Sequence, residues 1–348
     1  MIEGTIIKKS NRVIKTGKSV YTYSVISSII FLLSNPNLVA DNIPIALTHI
    51  DTISVYCGKI DSRDVEVDFL RADGPLILLT AIWIPRYISG ASESFNYTKQ
   101  LKRCLDEKII GNKDIILVNS KRDILEAIAK KKIAVILALE GGEPLEDINN
   151  IEQIKKIGIK SVSLTWSRDN SLACAHNTKN DLGLSNKGRE VVKLLNDNKI
   201  MIDVSHLSDK TIEDIINMSR TPIYASHSNA RAICNSNRNL TDTQIKRIAS
   251  KGGIIGLSFH STHLSCNKES SVEDIYKHIA HIRKIAGVEA IAIGSDFDGH
   301  IKTPSDIKGL KDISVLIQKL KLENWTDTEI EFILYKNFVR FFEKVNDE

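Results

Sequence analysis

The sequence predicts an α/β protein folded as a (β/α)8 barrel of the TIM type, with extra helices at its C-terminal end. Three observations predict it. From residue 43 onward, short apolar runs alternate with amphipathic segments rich in Lys and Glu. The apolar runs are dense in Val, Ile and Leu without polar alternation, as expected of strands covered on both faces in a parallel sheet. There are eight such runs over roughly 250 residues, the repeat count of a barrel in which helices separate parallel strands. No glycine-rich phosphate fingerprint follows the first run, which argues against a doubly wound open sheet.

The elements follow in order. IPIALTH (43–49) and PLILLTAIWI (75–84) open the series. KRDILEAIAKKK (121–132) has apolar residues at helical spacing and leads into the strand KIAVILALE (132–140). KSVSLTW (160–166) is joined through the helical NKGREVVKLLNDN (186–198) to IMIDVSH (200–206). TPIYASH (221–227) and GGIIGLSF (252–259) come next, and VEDIYKHIAHIRKIAG (272–287) is the helix before EAIAIGSD (289–296). DIKGLKDISVLIQKLK (306–321) and TDTEIEFILYKNFVRFFEKV (326–345) are the additional helices. Residues 43–348 therefore form one barrel domain, and residues 1–42 an N-terminal extension. In that extension Lys8, Lys9, Arg12, Lys15 and Lys18 precede VISSIIFLLS, a pattern that imitates a signal peptide. The run is too short to span a bilayer. A short helix packed on the barrel, in a cytoplasmic protein, is the expectation; the signal-like pattern leaves secreted or periplasmic export open.

Composition narrows the function. The chain of 348 residues has 42% hydrophobic and 26% charged residues, as in soluble globular proteins. A net charge of +4 from 47 basic and 43 acidic residues does not suggest a nucleic-acid partner, and no nucleic-acid-binding signature is present. The five cysteines (Cys57, Cys104, Cys174, Cys234, Cys266) are scattered and include no CxxC pair. Neither a thiolate zinc site nor a disulfide framework is expected from them.

Chemistry concentrates at the strand ends, where barrel enzymes build their sites. The first run ends in His49 and Asp51, residues two apart that share a face of an extended strand. VILALE ends in Glu140, MIDVSH in His206, IYASH in His227 and IAIGSD in Asp296. Singly, each has an ordinary reading: a surface histidine, a helix cap, a turn aspartate. Three histidines and three carboxylates at equivalent strand ends argue instead for a metal. Imidazole and carboxylate suit Zn²⁺, with Mn²⁺ or Co²⁺ as alternatives, and the absence of thiolate argues against a purely structural zinc. Five ligands exceed one tetrahedral site. They divide into His49, Asp51 and Glu140 on one ion and Glu140, His206 and His227 on a second, able to hold a bridging hydroxide about 3.5–4 Å across. Asp296 is then left to shuttle a proton.

These residues resemble the membrane (renal-type) dipeptidases, zinc peptidases of the metal-dependent amidohydrolase superfamily. The resemblance runs from about residue 43 to the C-terminus through THIDT, KKIAVILALEGGE, LTWSRDN, GREVVKLLNDNKIMIDVSHLSDKT, SHSNARAICNSNRNL, IAIGSDFDG and NFVRFFEKV. It implies a barrel of the metal-dependent hydrolase type and a binuclear zinc site on His49, Asp51, Glu140, His206 and His227. It also implies proton transfer by Asp296, and an arginine, here Arg238, that holds the substrate's terminal carboxylate.

There are departures. Trp166 stands where mammalian-like members have a substrate-holding histidine, leaving oxyanion stabilisation to the metal or to a neighbour such as Asn170 or His176. His260 occupies an aromatic substrate-contacting position. No C-terminal apolar tail of the kind that signals a lipid anchor is evident, so the family's membrane name is not expected to carry over. The function expected is hydrolysis of free dipeptides, with catalysis by Asp296 and Glu140 and substrate contacts from Arg238, Trp166 and His260. Alternatives are a related amide on the same site (an S-conjugated cysteinylglycine, a lactam or a D-amino-acid dipeptide), or a binding protein that keeps its metals. Family members often pair, so a homodimer is the analogous expectation.

Overall fold

The computed structural model describes residues 43–57, 75–267 and 269–346, so the extension expected over residues 1–42 lies outside the described residues. Eight parallel strands are present: β1 (Ile45–Ile50), β2 (Leu76–Trp83), β3 (Ile115–Leu117), β4 (Ile133–Glu140), β5 (Ile159–Ser163), β6 (Met201–Asp203), β7 (Ile255–Ser258) and β8 (Ile291–Phe297). Seven of them are ordered β6-β5-β4-β2-β1-β8-β7, and β3 pairs with β4. Single parallel bridges complete the ring, Asp203 to Tyr224 and Ala225 to Ile255. The expected barrel is therefore present, with two differences. TPIYASH contributes only Tyr224 and Ala225 to the ladder instead of a strand. The half-buried IIL of β3 was not anticipated; it lies beside the first half of β4, whose second half pairs with β5.

The strands are buried on both faces, as their unbroken apolar runs require. One face meets the surrounding helices, among them Ala91–Ile109, Asn186–Asp197 and Val272–Ala286. The other alternates inward: Ala46, Ile77, Ala134, Ile136, Met201 and Ala292 pack in one cluster with Phe338, Phe341 and Phe342 of the helix Asn337–Asn346. That helix plugs the N-terminal end of the barrel, which explains why the chain needs helices beyond the eight repeats. Tyr224 belongs to the same plug, its ring 4.9 Å from Phe341 and its hydroxyl 2.7 Å from Ser161 Oγ.

The same alternation, continued along β4 and β8, points Glu140 and Asp296 inward at the other end. In β1 it is reset. Leu47 pairs with Leu78 but Ile50 with Thr80, so one extra residue enters β1 between them. A one-residue shift exchanges the faces of a strand. Thr48 faces inward before the shift, donating from Oγ1 to Ser226 O, and His49 and Asp51 face inward after it.

The cysteines depart from expectation. Cys57 is bonded to Cys104 and Cys234 to Cys266, leaving Cys174 free and buried. The partners are 47 and 32 residues apart, so the fold and not a local motif brings them together. No described helix is long and apolar enough to cross a membrane.

Candidate metal centre

The six expected strand-end residues meet at the C-terminal mouth of the barrel. His49 Nε2 lies 3.4 Å from Asp51 Oδ2 and 3.7 Å from Glu140 Oε2. Glu140 Oε1 is 3.0 Å from His206 Nε2 and 3.6 Å from His227 Nε2. The two imidazole nitrogens are 2.8 Å apart. Glu140 thus faces both groups of ligands through different oxygens, as a shared carboxylate would. Asp296 gathers with His49 and Asp51, their ligand atoms within 4.8 Å of one another. It sits closer to the ligand set than its expected place beside it.

Electrostatics agree with a cation site. Burial lowers the pKa of His206 and of His227 well below the usual value, with Arg238 and His49 among the neighbouring charges that add to the shift. Both rings are then neutral and offer lone pairs. Burial raises Glu140 to about 8 and Asp296 to about 7. Burial would lower His49 too, but Glu140, Asp51 and Asp296 overcome it and hold that ring up at about 10. Carboxylates so enclosed call for positive charge. His49 Nε2 is buried without a hydrogen bond, although such atoms are normally satisfied. Without an ion the His49 proton balances these carboxylates; a divalent ion could replace it, with the neutral His206 and His227 rings beside it.

The ligands are aimed by residues the sequence reading did not single out. Asp203 Oδ2 accepts from Ser226 Oγ at 2.5 Å, and Ser226 Oγ lies 2.7 Å from His227 Nδ1 and 3.4 Å from His49 Nδ1. Asp203 Oδ1 accepts from the amides of Ser205 and Ser226. This carboxylate–hydroxyl–imidazole chain fixes which nitrogen faces the centre. Its one sequence signal is a carboxylate within an otherwise apolar strand, Asp203 in MIDVSH. Asp298 is also buried at the mouth, takes a bond from Thr52 Oγ1 at 2.8 Å and is raised to about 7 by burial.

Arg238 is buried, with Nη2 3.3 Å from His227 O, and no carboxylate pairs with it among the described residues. Trp166 has its ring 6.3 Å from that of His206, stands edge-on to Trp83 at 4.8 Å and carries the Arg86 guanidinium over its face at 5.5 Å. His260 caps the short helix Ser261–Leu264 and stacks near His263 at 4.5 Å. Of the two neighbours suggested for the oxyanion, Asn170 is already used: Nδ2 donates to Leu164 O, and Oδ1 accepts from Leu172 and Ala173. His176 does stand beside the centre, its ring 5.5 Å from that of His206.

The sequence model of the membrane dipeptidase family (peptidase family M19) matches residues 39–348. The chain belongs to this family. Dipeptidase 3 of Macaca fascicularis and of Homo sapiens are each 30% identical over 230 residues, 63% of this chain and 47% of those proteins. The chain thus spans about half the length of these curated relatives. Among solved structures, the dipeptidase AC, a metallopeptidase of family M19, superposes with a TM-score of 0.80 at 21% identity, covering 88% of this chain and 100% of that one. A metallopeptidase from Rhodobacter sphaeroides, liganded with a phosphinate mimic of the dipeptide L-Ala-D-Ala, gives 0.78 at 21% identity, over 88% and 100%. These likenesses establish the barrel fold. The family implies metal ions, and among the described residues the buried groups His49, Glu140 and His227, and His49, Asp51 and Asp296, could hold one.

Proposed function

We propose that this membrane dipeptidase family member hydrolyses the peptide bond of free dipeptides, using two divalent ions, Zn²⁺ first among them. The observation that carries the reading is the convergence of His49, Asp51, His206 and His227 around Glu140, beside a buried guanidinium with no carboxylate partner among the described residues. Bound divalent ions supply Lewis acidity and bring the ionisation of water into the neutral range.

The remaining steps belong to the chain's own residues. Arg238 binds the substrate's terminal carboxylate, since a guanidinium remains charged and presents a planar fork to the two oxygens. Asp296, enclosed and raised to about 7, holds a proton near neutrality and delivers it to the leaving amine nitrogen. Glu140 and Asp51 offer carboxylate oxygens to the centre, while Asp203 and Ser226 keep His227 and His49 oriented. Trp166 and Trp83 form an apolar wall beside His206 that excludes water from that side. Two disulfides favour an oxidising compartment over the cytoplasm, which supports the export branch of the N-terminal reading.

The test joins two measurements on one preparation: metal per chain, and hydrolysis of L,L, L,D and D,D dipeptides with their C-terminal amides. About two ions per chain with cleavage of free but not amidated dipeptides is expected. Two ions without cleavage of any dipeptide would overturn the activity, and fewer than two after saturation would overturn the paired site.

A further inference from the structure

Arg238 is carried by a loop that leaves the barrel after His227, and that loop is fastened to the next one by four separate ties. The Cys234–Cys266 disulfide joins it covalently to the segment that follows β7. Asn239, fully buried and adjacent to Arg238, donates from Nδ2 to Cys234 O at 2.8 Å and to His263 O at 2.8 Å. His278, on the helix Val272–Ala286, accepts from the Ala230 amide through Nδ1 at 3.1 Å and donates from Nε2 to Leu264 O at 2.9 Å. Ser236 Oγ accepts from the Arg238 amide at 3.2 Å and lies 3.4 Å from His263 Nδ1. The ends of the Arg238 loop are also closed, Leu240 N bonding to Asn229 O and Arg231 N to Leu240 O.

A surface loop needs none of this to exist. Fastening matters where one side chain must be held to a fraction of an ångström, because a displaced carboxylate-binding group loses its geometric advantage. Among the described residues the guanidinium itself makes one hydrogen bond, to His227 O, so its position is set by its backbone more than by its own partners.

We infer that the Cys234–Cys266 disulfide and Asn239 are positioning elements for Arg238, setting recognition of the substrate carboxylate without taking part in bond cleavage. The inference rests on the carboxylate-binding role proposed for Arg238. It predicts effects on binding of free-acid ligands and not on turnover or metal content. The Cys57–Cys104 disulfide, which joins the turn after the helix Thr52–Tyr56 to the helix Ala91–Ile109, serves as the control for loss of a cross-link as such.

The experiment compares wild type, the Cys234→Ser/Cys266→Ser double variant, Asn239→Ala and the Cys57→Ser/Cys104→Ser control. Readouts are metal content, KM and kcat for a free dipeptide, and calorimetric binding of a phosphinic dipeptide mimic as its free acid and its C-terminal amide. The double variant and Asn239→Ala are expected to raise KM about tenfold with kcat within twofold, and to weaken the free acid while leaving the amide unchanged. The control is expected to keep the wild-type preference for the free acid. Retention of that preference in both test variants overturns the inference, as does a parallel fall in kcat and metal content in both. If the double variant does not fold, Asn239→Ala alone decides by the same criteria. Wild type binding the amide as tightly as the acid would overturn the Arg238 reading itself, a result distinct from failure of the ties.

Discussion

His206 and His227 bring their Nε2 atoms to 2.8 Å from each other, both against Glu140 Oε1. In the absence of a cation one neutral ring can donate an N–H to the other at this distance, and a bound cation would take the place of that shared proton. Replacing either ring is expected to remove about one ion per chain and to lower dipeptide turnover on the order of 10³-fold, with the far-UV circular dichroism unchanged. Metal analysis of His206→Ala alongside its kcat checks this. Full metal content with near-normal turnover would remove His206 from the centre.

Ser226 reaches two ligands at once, His227 closely and His49 at longer range, and is itself held by Asp203. Groups that orient metal-bound histidines typically contribute 10- to 100-fold in metal affinity or activity. Ser226→Ala and Asp203→Asn are therefore expected to weaken metal binding by roughly that factor. Competition with a chromogenic chelator measures it, and affinity equal to wild type in both variants would show that the chain of bonds is idle.

His278 yields a pH dependence with a definite sign. Burial, reinforced by His281 and Lys277 and opposed by the bond to Leu264 and by Asp274, pushes it down to about 4. Its neutral form is needed to accept from Ala230 while donating to Leu264. The unfolded chain binds the proton first, near the ordinary 6.5, so this residue's contribution is complete above that pH and is lost as pH falls toward 4. The loss is on the order of 2 kcal/mol by pH 4.5. Urea unfolding of wild type and His278→Gln at pH 7.5, 5.5 and 4.5 isolates it, since glutamine can bond without titrating. Equal acid sensitivity of the two proteins would contradict the assignment.

The barrel and the cluster of side chains at its strand ends were legible because they follow simple rules. Buried parallel strands write continuous apolar runs, and a polar residue ending each run is conspicuous. What escaped lacked a local signature. TPIYASH has strand composition, but only Tyr224 and Ala225 pair, because the next residues turn Ser226 and His227 toward the centre. The inward turn of His49 depends on one extra residue in β1, visible only through its register with β2. Cysteine pairs separated by tens of residues are decided by topology. Asp203 and Ser226 act through other side chains, so only their contacts distinguish them from ordinary strand residues.

Neighbouring strands are joined by ladders of at least three pairs except between β6 and β7, where single bridges at Tyr224 and Ala225 close the ring. His206 follows β6 at one edge of that gap, and His227 follows the Tyr224–Ala225 segment within it. An ion held by these two rings would rivet the barrel's seam, so the residues proposed for chemistry would also bear the hoop load of the architecture. Ligand-linked stability is then local before it is global. On chelation, amides at Val204, Ala225 and Gly256 are expected to exchange sooner than those paired between β2 and β4, and the stave that carries His227 is the first to lift.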